Sequence, residues 1–370
     1  MLPSDYFREY TVFHRIMLRT SLLCIVMLSA PYIGAQVHPE GQSAPAAVEG
    51  TPSVPTLADA QDLVTRGRLA EAQRELDSLT LQQPEPAGAE RLRGFVFYQQ
   101  NRFSEAEASF AKAVQQNASD LESMQMRGVV LYRMGKSAEA IPLLERARIS
   151  VPGANIDPEY VLGACYLSVG RYDEARRAFA AQYDFPPDSA SAYLITARML
   201  FHHEMTQQAD DAARKAVQIN PRLPLAHRLL GEIALAKGDY PAAIAELQKE
   251  RELNPLDGEL YNRLGDAFIR QGQYREAQQA LDRAILLEPN ATGPYILLGK
   301  VLLKQQEPVM AVMYLERAVQ MDPANYMIHG LLAQAYRIAG RKDEAIRELQ
   351  MAGKLQSGSG SKTGAPDAQQ

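Results

Sequence analysis

The sequence contains no tryptophan and few aromatic residues, which make up 7% of its 370 residues. A core built on large rings is therefore not expected, and a fold held together by small and aliphatic side chains is favoured. Cysteine is also scarce, with only Cys24 and Cys165 present. Because Cys24 falls in the leader described below, the mature part has one cysteine, and its stability has to come from packing rather than from a disulfide.

The sequence has no basic excess, and its formal net charge is -5. Because phosphate groups usually demand a basic face, nucleic acid is not expected as a partner. The sequence also has no glycine-rich phosphate loop, no serine elbow and no HExxH spacing. The adjacent His202 and His203 point about 100° apart on a helix and do not readily share one metal ion. We therefore expect no catalytic residue, no metal site, no cofactor and no enzymatic activity.

The only long apolar run lies near the start of the chain and is short. Arg15 and Arg19 precede SLLCIVMLSAPYIGA, which has the basic, apolar and small-residue order of a secretory signal ending at Ala35. At about 15 residues, the run is shorter than the roughly 20 that cross a bilayer. We predict a signal peptide over residues 1–35, export to the periplasm or the exterior, and no stable membrane span after cleavage. An uncleaved signal that tethers the protein to the membrane is the alternative.

Two further tracts are poor in large apolar residues. Residues 36–55 are rich in proline, and residues 357–370 are rich in glycine and serine. Neither tract buries enough apolar surface to offset the entropy of ordering it, so we predict a disordered linker and a disordered tail. Either Met1 or Met17 can be the initiator methionine, because Met17 begins a more compact signal than Met1 does.

Between these tracts a small residue recurs every 34 positions, with a single 35-residue step from Gly128 to Gly163. An alanine follows each small residue by twelve positions, and a large apolar residue usually follows four positions after that alanine. We expect the small residue on one helix to face the alanine on the next, which lets the two helix axes approach closely. The small residues are Ala60, Gly94, Gly128, Gly163, Ala197, Gly231, Gly265, Gly299 and Ala333.

These units resemble the tetratricopeptide repeat. The unit YNRLGDAFIRQGQYREAQQALDRAILLEP carries the family's residues at the family's spacing: Tyr261, Leu264, Gly265, Phe268, Gly272, Tyr274, Ala277, Leu281, Ala284 and Pro289. The resemblance implies an all-α fold, a right-handed superhelical α-solenoid of about nine helical hairpins over residues 56–356. The fifth repeat departs from the pattern, because Glu204 stands where the turn glycine is expected.

The resemblance also implies where a ligand would bind, because the family's inner wall is lined mainly by the first helix of each repeat. Carried over by position, the predicted groove residues are Arg198, Phe201, Arg228, Glu232, Leu235, Asn262, Asp266, Arg270, Lys300 and Lys304, with Leu167 and the aromatic side chains Tyr98, Tyr132 and Tyr160 nearer the front. Packing in the core or between neighbouring repeats is the alternative role for the aromatic residues. Glu232 and Asp266 interrupt the basic run, so the family's clamp for a terminal carboxylate matches poorly.

The function predicted from the sequence is that of an exported scaffold or adaptor that binds partner proteins or peptides along its concave groove. Two alternatives to this scaffold function remain open. In the first, the protein is an accessory subunit of a glycan-polymer export or protein-glycosylation system. In the second, it is a structural spacer whose groove binds nothing specific. Capture of protein, of glycan or of neither distinguishes the three.

Overall fold

A computed structural model describes residues 56–148 and 157–360, and within these ranges the chain forms helices and no strands. The predicted signal peptide and linker lie outside the described residues. The described chain divides into two compact parts, the first ending at Leu92 and the second beginning at Arg93.

The first part holds the first hairpin, made of α1 (Leu57–Thr65) and α2 (Leu69–Leu79). Thr56 caps α1 because its side chain accepts a hydrogen bond from the Asp59 amide, while the Asp59 carboxylate accepts from the Thr56 amide in return. Ala60, Ala72 and Leu76 are fully buried. A third helix, α3 (Ala89–Gln99), begins in this part and continues into the second.

The second part stacks eight further hairpins, in each of which the chain turns back after the first helix. The helices that follow α3 are α4 (Phe103–Gln116), α5 (Leu121–Arg133), α6 (Ser137–Arg146), α7 (Pro158–Ser168), α8 (Tyr172–Gln182), α9 (Ala190–His202), α10 (Thr206–Ile219), α11 (Ala226–Lys237), α12 (Tyr240–Leu253), α13 (Gly258–Arg270), α14 (Tyr274–Leu287), α15 (Thr292–Lys304), α16 (Pro308–Met321), α17 (Tyr326–Ile338) and α18 (Lys342–Gly360). The all-α repeat fold of about nine hairpins is confirmed. The last helix runs past the predicted end of the solenoid at residue 356.

Six of the hairpins close on a contact between a glycine and a large side chain, which corrects one detail of the sequence-based prediction. A Cβ atom built on Gly265 would lie 2.6 Å from Leu281, and one built on Gly163 would lie 2.5 Å from Phe179. The glycine therefore faces the large apolar residue, and the predicted alanine contact is secondary. At Gly231 the alanine takes part only through its carbonyl oxygen, 3.3 Å away. A side chain at the glycine would displace its neighbour.

The turn between the two helices of each hairpin needs a residue in the left-handed region. Gly272 adopts a φ of 76°, which glycine accepts without steric cost. In the fifth repeat Glu204 adopts a φ of 61°. The turn geometry is thus retained although the glycine is missing, at the cost of the strain that a side chain brings to this region.

A ring at the fourth position of several repeats ties consecutive hairpins together. The hydroxyl groups of Tyr261 and Tyr295 donate to the carbonyl oxygens of Pro255 and Pro289, at 3.2 and 3.1 Å, where the preceding repeats end. In the sixth repeat His227 replaces the tyrosine, and its Nε2 lies 3.2 Å from the corresponding carbonyl oxygen, that of Pro221. The histidine differs from tyrosine because its second nitrogen, Nδ1, lies 2.6 Å from Glu246 Oε2.

Candidate functional site

The predicted groove residues of repeats five to eight all lie on first helices, namely α9, α11, α13 and α15. We call the face that they form the inner wall. The repeat brings the same helix positions to this face, so that Arg198, Glu232, Asp266 and Lys300 follow one another at intervals of 34 residues. The charges at these four equivalent positions are positive, negative, negative and positive, so the charge does not follow the repeat.

Three arginine side chains approach the carboxylate of Glu232, whose side chain is only 10% exposed. Its carboxylate lies 2.5 Å from Arg198 Nη1 and 3.6 Å from Arg228 Nε. Arg263 approaches the same group at 3.8 Å and pairs more closely with Glu259, at 2.8 Å. A nearly buried carboxylate needs such cations, because burial without a partner is costly.

Arg228 was predicted as a cation for a ligand, and the structure places it inside the protein instead. Its side chain is 13% exposed, and its Nη1 lies 2.6 Å from Asp257 Oδ2. Although burial favours the neutral form, the carboxylates of Asp257 and Glu232 raise the pKa of Arg228. The fully buried Glu250 lies nearby and accepts hydrogen bonds from the Leu225 and Arg228 amides, while burial raises its pKa. Arg228 therefore stabilises this junction between repeats six and seven.

Arg270 and Asp266 face the solvent side of the same wall. The Arg270 Nε lies 3.2 Å from Asp266 Oδ2, and the guanidinium side chain is 52% exposed. A hydrogen bond with Tyr240 and the charge of Asp266 raise the pKa of Arg270. Asn262 donates from Nδ2 to Glu259 at 3.1 Å, while its buried Oδ1 has no hydrogen-bond partner in the described part of the chain.

A cavity of about 390 Å³ opens between these side chains. Its apolar floor comes from α9 and α11, and its charged rim comes mainly from α13. The lining residues are Phe201, Glu232, Leu235, Ala236, Arg263, Asp266 and Arg270. Five predicted residues, namely Phe201, Glu232, Leu235, Asp266 and Arg270, thus line one cavity, while Arg263 was missed. Its position is outside the family's usual inner set, and the one available signal was the pairing of Glu259 with a cation four residues later.

Lys300 and Lys304 follow on α15, and both are exposed. Neither side chain makes a hydrogen bond or an ion pair with the residues that the structure describes. They are therefore the predicted cations with charge still available to a ligand.

The aromatic residues nearer the front are half-buried, and Tyr98 and Tyr160 contact other rings. Tyr98 lies 6.0 Å from Phe103 between ring centroids, and burial raises the pKa of its hydroxyl. Tyr160 lies 6.3 Å from Phe179, and Tyr132 is likewise only partly exposed. These contacts are of the kind that the packing alternative describes. Leu167 is 1% exposed, so its predicted place on the groove surface is wrong.

The remaining residues considered for metal binding or catalysis are His202, His203 and Cys165. His202 and His203 stand at the end of α9 with ring centroids 5.7 Å apart, and no group of three potential metal ligands occurs within residues 56–148 and 157–360. Cys165 is buried, which raises the pKa of its thiol to about 11 and disfavours the reactive thiolate. None of the described helices combines the length and the apolar character that a membrane crossing requires.

Stacked helical hairpins with a cavity between their first helices define a helical-repeat scaffold. Tetratricopeptide-repeat models match residues 57–120, 160–224, 206–258, 234–301 and 302–359. The model of anaphase-promoting complex, cyclosome, subunit 3 matches residues 99–182. The chain belongs to the tetratricopeptide-repeat family.

Individual proteins match parts of this chain. Cellulose synthase 1 operon protein C of Komagataeibacter xylinus is 26% identical over 171 residues, which are 43% of this chain and 13% of that protein. The crystal structure of MamA is 24% identical with a TM-score of 0.43, over 45% of this chain and 96% of that one. The crystal structure of YrrB, a TPR protein with an unusual peptide-binding site, is 20% identical with a TM-score of 0.44, over 50% of this chain and 94% of that one.

Proposed function

We propose that this tetratricopeptide-repeat protein is a scaffold that binds an extended segment of a partner protein along the inner wall of repeats five to eight. The cavity beside Glu232 supports this most directly, because it joins an apolar floor to half-exposed guanidinium groups. Such a floor takes an apolar side chain, while the rim binds backbone carbonyls and carboxylates. Binding of this kind requires no chemical step, and we propose no enzymatic activity.

A photo-crosslinking amino acid at Ala236 tests this proposal. Ala236 is exposed and lines the cavity, so its replacement leaves the core intact. The matched control is the same amino acid at Gln279, which is exposed on the second helix α14. We expect a protein adduct from position 236 and none from position 279. Equal adducts from both positions, or none from either, contradict the proposal.

The same proposal includes export, which is supported by the predicted signal sequence at residues 1–35. Expression from its own leader in a Gram-negative host, followed by N-terminal sequencing of the periplasmic protein, tests this. We expect Gln36 to be the first residue. A protein that keeps its leader and sediments with the membrane supports the tethered alternative.

An accessory role in a glycan-polymer system is the second candidate function. It is favoured by the similarity to Cellulose synthase 1 operon protein C, although this chain spans only 13% of that protein. Retention of the protein on a cellulose or mixed-polysaccharide column, with loss of retention when Phe201 is replaced by alanine, supports this role. If neither protein nor polysaccharide is captured, the spacer alternative takes precedence.

A further inference from the structure

The charges around the cavity are already balanced within the protein. Each of the four guanidinium groups there has a carboxylate partner, and each carboxylate has a guanidinium partner. The pairs are Arg198 with Glu232, Arg228 with Asp257, Arg263 with Glu259, and Arg270 with Asp266. This part of the inner wall therefore has no net charge with which to select an acidic or a basic ligand.

The neighbouring first helix, α15, differs from this arrangement. Lys300 and Lys304 come 34 residues after Asp266 and Arg270, both of which line the cavity. Equivalent positions of successive repeats face the same way, so the two lysines continue the inner wall on α15. Because they lie one helical turn apart and have no partner among the described residues, they form a positive patch.

The distance between the cavity and this patch sets a spacing on the ligand. The apolar floor lies on α9 and α11, and α11 contacts α13, which in turn contacts α15. The axes of packed helices lie about 8–10 Å apart, so α11 and α15 are separated by about 16–20 Å. An extended chain advances about 3.3 Å per residue, so roughly five to six residues reach from α11 to α15. Side chains five or six positions apart on a peptide can therefore occupy the two sites together.

The floor of the cavity sets the other requirement. Phe201 and Leu235 offer apolar surface, while Ala236 leaves room above its own methyl group. A leucine, isoleucine or phenylalanine side chain would be removed from water there, which is worth more than any single exposed ion pair. The apolar side chain provides affinity, and the charge on α15 provides selection.

We propose that the inner wall selects a peptide in which a large apolar residue and an acidic residue stand five or six positions apart. The apolar side chain enters the cavity, and the carboxylate lies over Lys300 and Lys304. This inference rests on the proposed function, because it names the ligand of the same groove.

An array of capped nine-residue peptides on the folded protein tests the proposal. Each peptide carries one leucine and one glutamate in a serine and glycine background, with the two residues one to eight positions apart and in both orders. Matched peptides carry lysine in place of glutamate, or alanine in place of leucine. We expect the strongest binding at five or six positions, with at least about tenfold weaker binding of the lysine peptide. Fluorescence anisotropy of the selected peptides provides the affinities.

Two variants assign the two sites separately. The double variant Lys300→Glu, Lys304→Glu is expected to invert the preference, so that the lysine peptide binds more tightly than the glutamate peptide. Phe201→Ala removes apolar surface from the cavity and is expected to weaken both peptides. The control is the double variant Arg275→Glu, Lys342→Glu, which makes the same change in net charge at exposed, unpaired positions on second helices. Its peptide preference is expected to match that of the unaltered protein.

The outcomes separate this inference from the proposed function. If leucine peptides bind regardless of the acidic residue, or if the charge reversal at Lys300 and Lys304 leaves the preference unchanged, the inference is wrong and the peptide-binding function stands. If no peptide binds to the folded protein and none binds in the crosslinking experiment, both are wrong.

Discussion

The interior of each hairpin and the inner wall are built on different kinds of contact. In the interior, Gly231 and Leu247, or Gly265 and Leu281, fit together by size alone. On the inner wall, Glu232 is held by guanidinium groups from three helices. The interior positions recur with the repeat because the two helices of each hairpin have to pack closely against each other. The inner-wall positions change from repeat to repeat, which leaves them free to specify a ligand.

The largest predicted effect tests the size match in the interior. Leu281→Ala removes a fully buried side chain and is expected to cost about 2–5 kcal/mol of unfolding free energy. Gly265→Ala places a Cβ atom 2.6 Å from Leu281 and is expected to cost about 1–3 kcal/mol by overpacking. The double variant is expected to cost clearly less unfolding free energy than the sum of the two single costs. The fifth repeat already pairs buried Ala197 with buried Ala213 at the equivalent positions. Urea denaturation of the four proteins measures the coupling, and strictly additive costs contradict the size match.

A matched control for this cycle lies in the ninth repeat. Leu349 occupies the same repeat position as Leu281, but it is 58% exposed. Leu349→Ala removes the same atoms and is expected to change the unfolding free energy by about 0.5 kcal/mol or less. A cost similar to that of Leu281→Ala would show that the exposed leucine is covered in solution.

The second prediction concerns the most buried cation of the inner wall. Arg228→Ala leaves the carboxylates of Asp257 and Glu232 without their buried partner and is expected to cost about 3 kcal/mol. Arg270→Ala is the control, because its half-exposed pair with Asp266 contributes about 0–1 kcal/mol. The midpoints of urea denaturation compare the two variants. Equal costs would mean that burial does not distinguish these pairs.

The two regions also differ in what the sequence alone predicts. The interior follows from a period of 34 residues, so the hairpins and their number could be predicted from the small residues and alanines alone. The partner of each glycine was assigned less accurately. An alanine and a leucine four positions apart share a helix face, and only the three-dimensional packing shows that Leu281 reaches Gly265.

The inner wall was predictable by position but not by pairing. Repeat spacing placed Glu232, Asp266 and Arg270 on first helices, and the three side chains line one cavity. It did not show that Arg228 turns towards Asp257 of the following repeat, because that contact depends on how two hairpins stack. Side chains 29 residues apart in sequence pair here, and no local pattern marks such a contact.

The third prediction concerns pH and the ring that ties repeats together. A hydrogen bond with Glu246 raises the pKa of His227 above its ordinary 6.5, and the same bond lowers the pKa of Glu246 to about 2. The contribution of the histidine is complete below its unfolded pKa and is lost as the pH rises through the raised folded value. The contribution of the glutamate is complete above its ordinary 4.5 and is lost as the pH falls towards 2. The pair therefore stabilises the fold most between these two ordinary values.

Replacement by the residue of the neighbouring repeats isolates this contribution. His227→Tyr keeps a ring that can donate to the Pro221 carbonyl oxygen, as Tyr261 and Tyr295 do in their repeats. It removes the bond to Glu246, worth on the order of 1 kcal/mol. We expect the unaltered protein to lose more stability than the variant between pH 5.5 and pH 8.5 in urea denaturation. The pair of His329 with Glu348 is present in both proteins, so its contribution cancels when the two are compared. Parallel pH profiles would contradict the role of His227.

The smallest predicted effect is at the far end of the inner wall. Lys300 and Lys304 are exposed and unpaired within the described chain, so they contribute no contact that folding depends on. The double variant Lys300→Gln, Lys304→Gln keeps long polar side chains on α15 and removes both charges. We expect the unfolding free energy to stay within about 0.5 kcal/mol of the unaltered protein, with the same far-ultraviolet circular dichroism. A loss comparable to that of Arg228→Ala would show that the lysines have structural partners, and their charge would then not be available to a ligand.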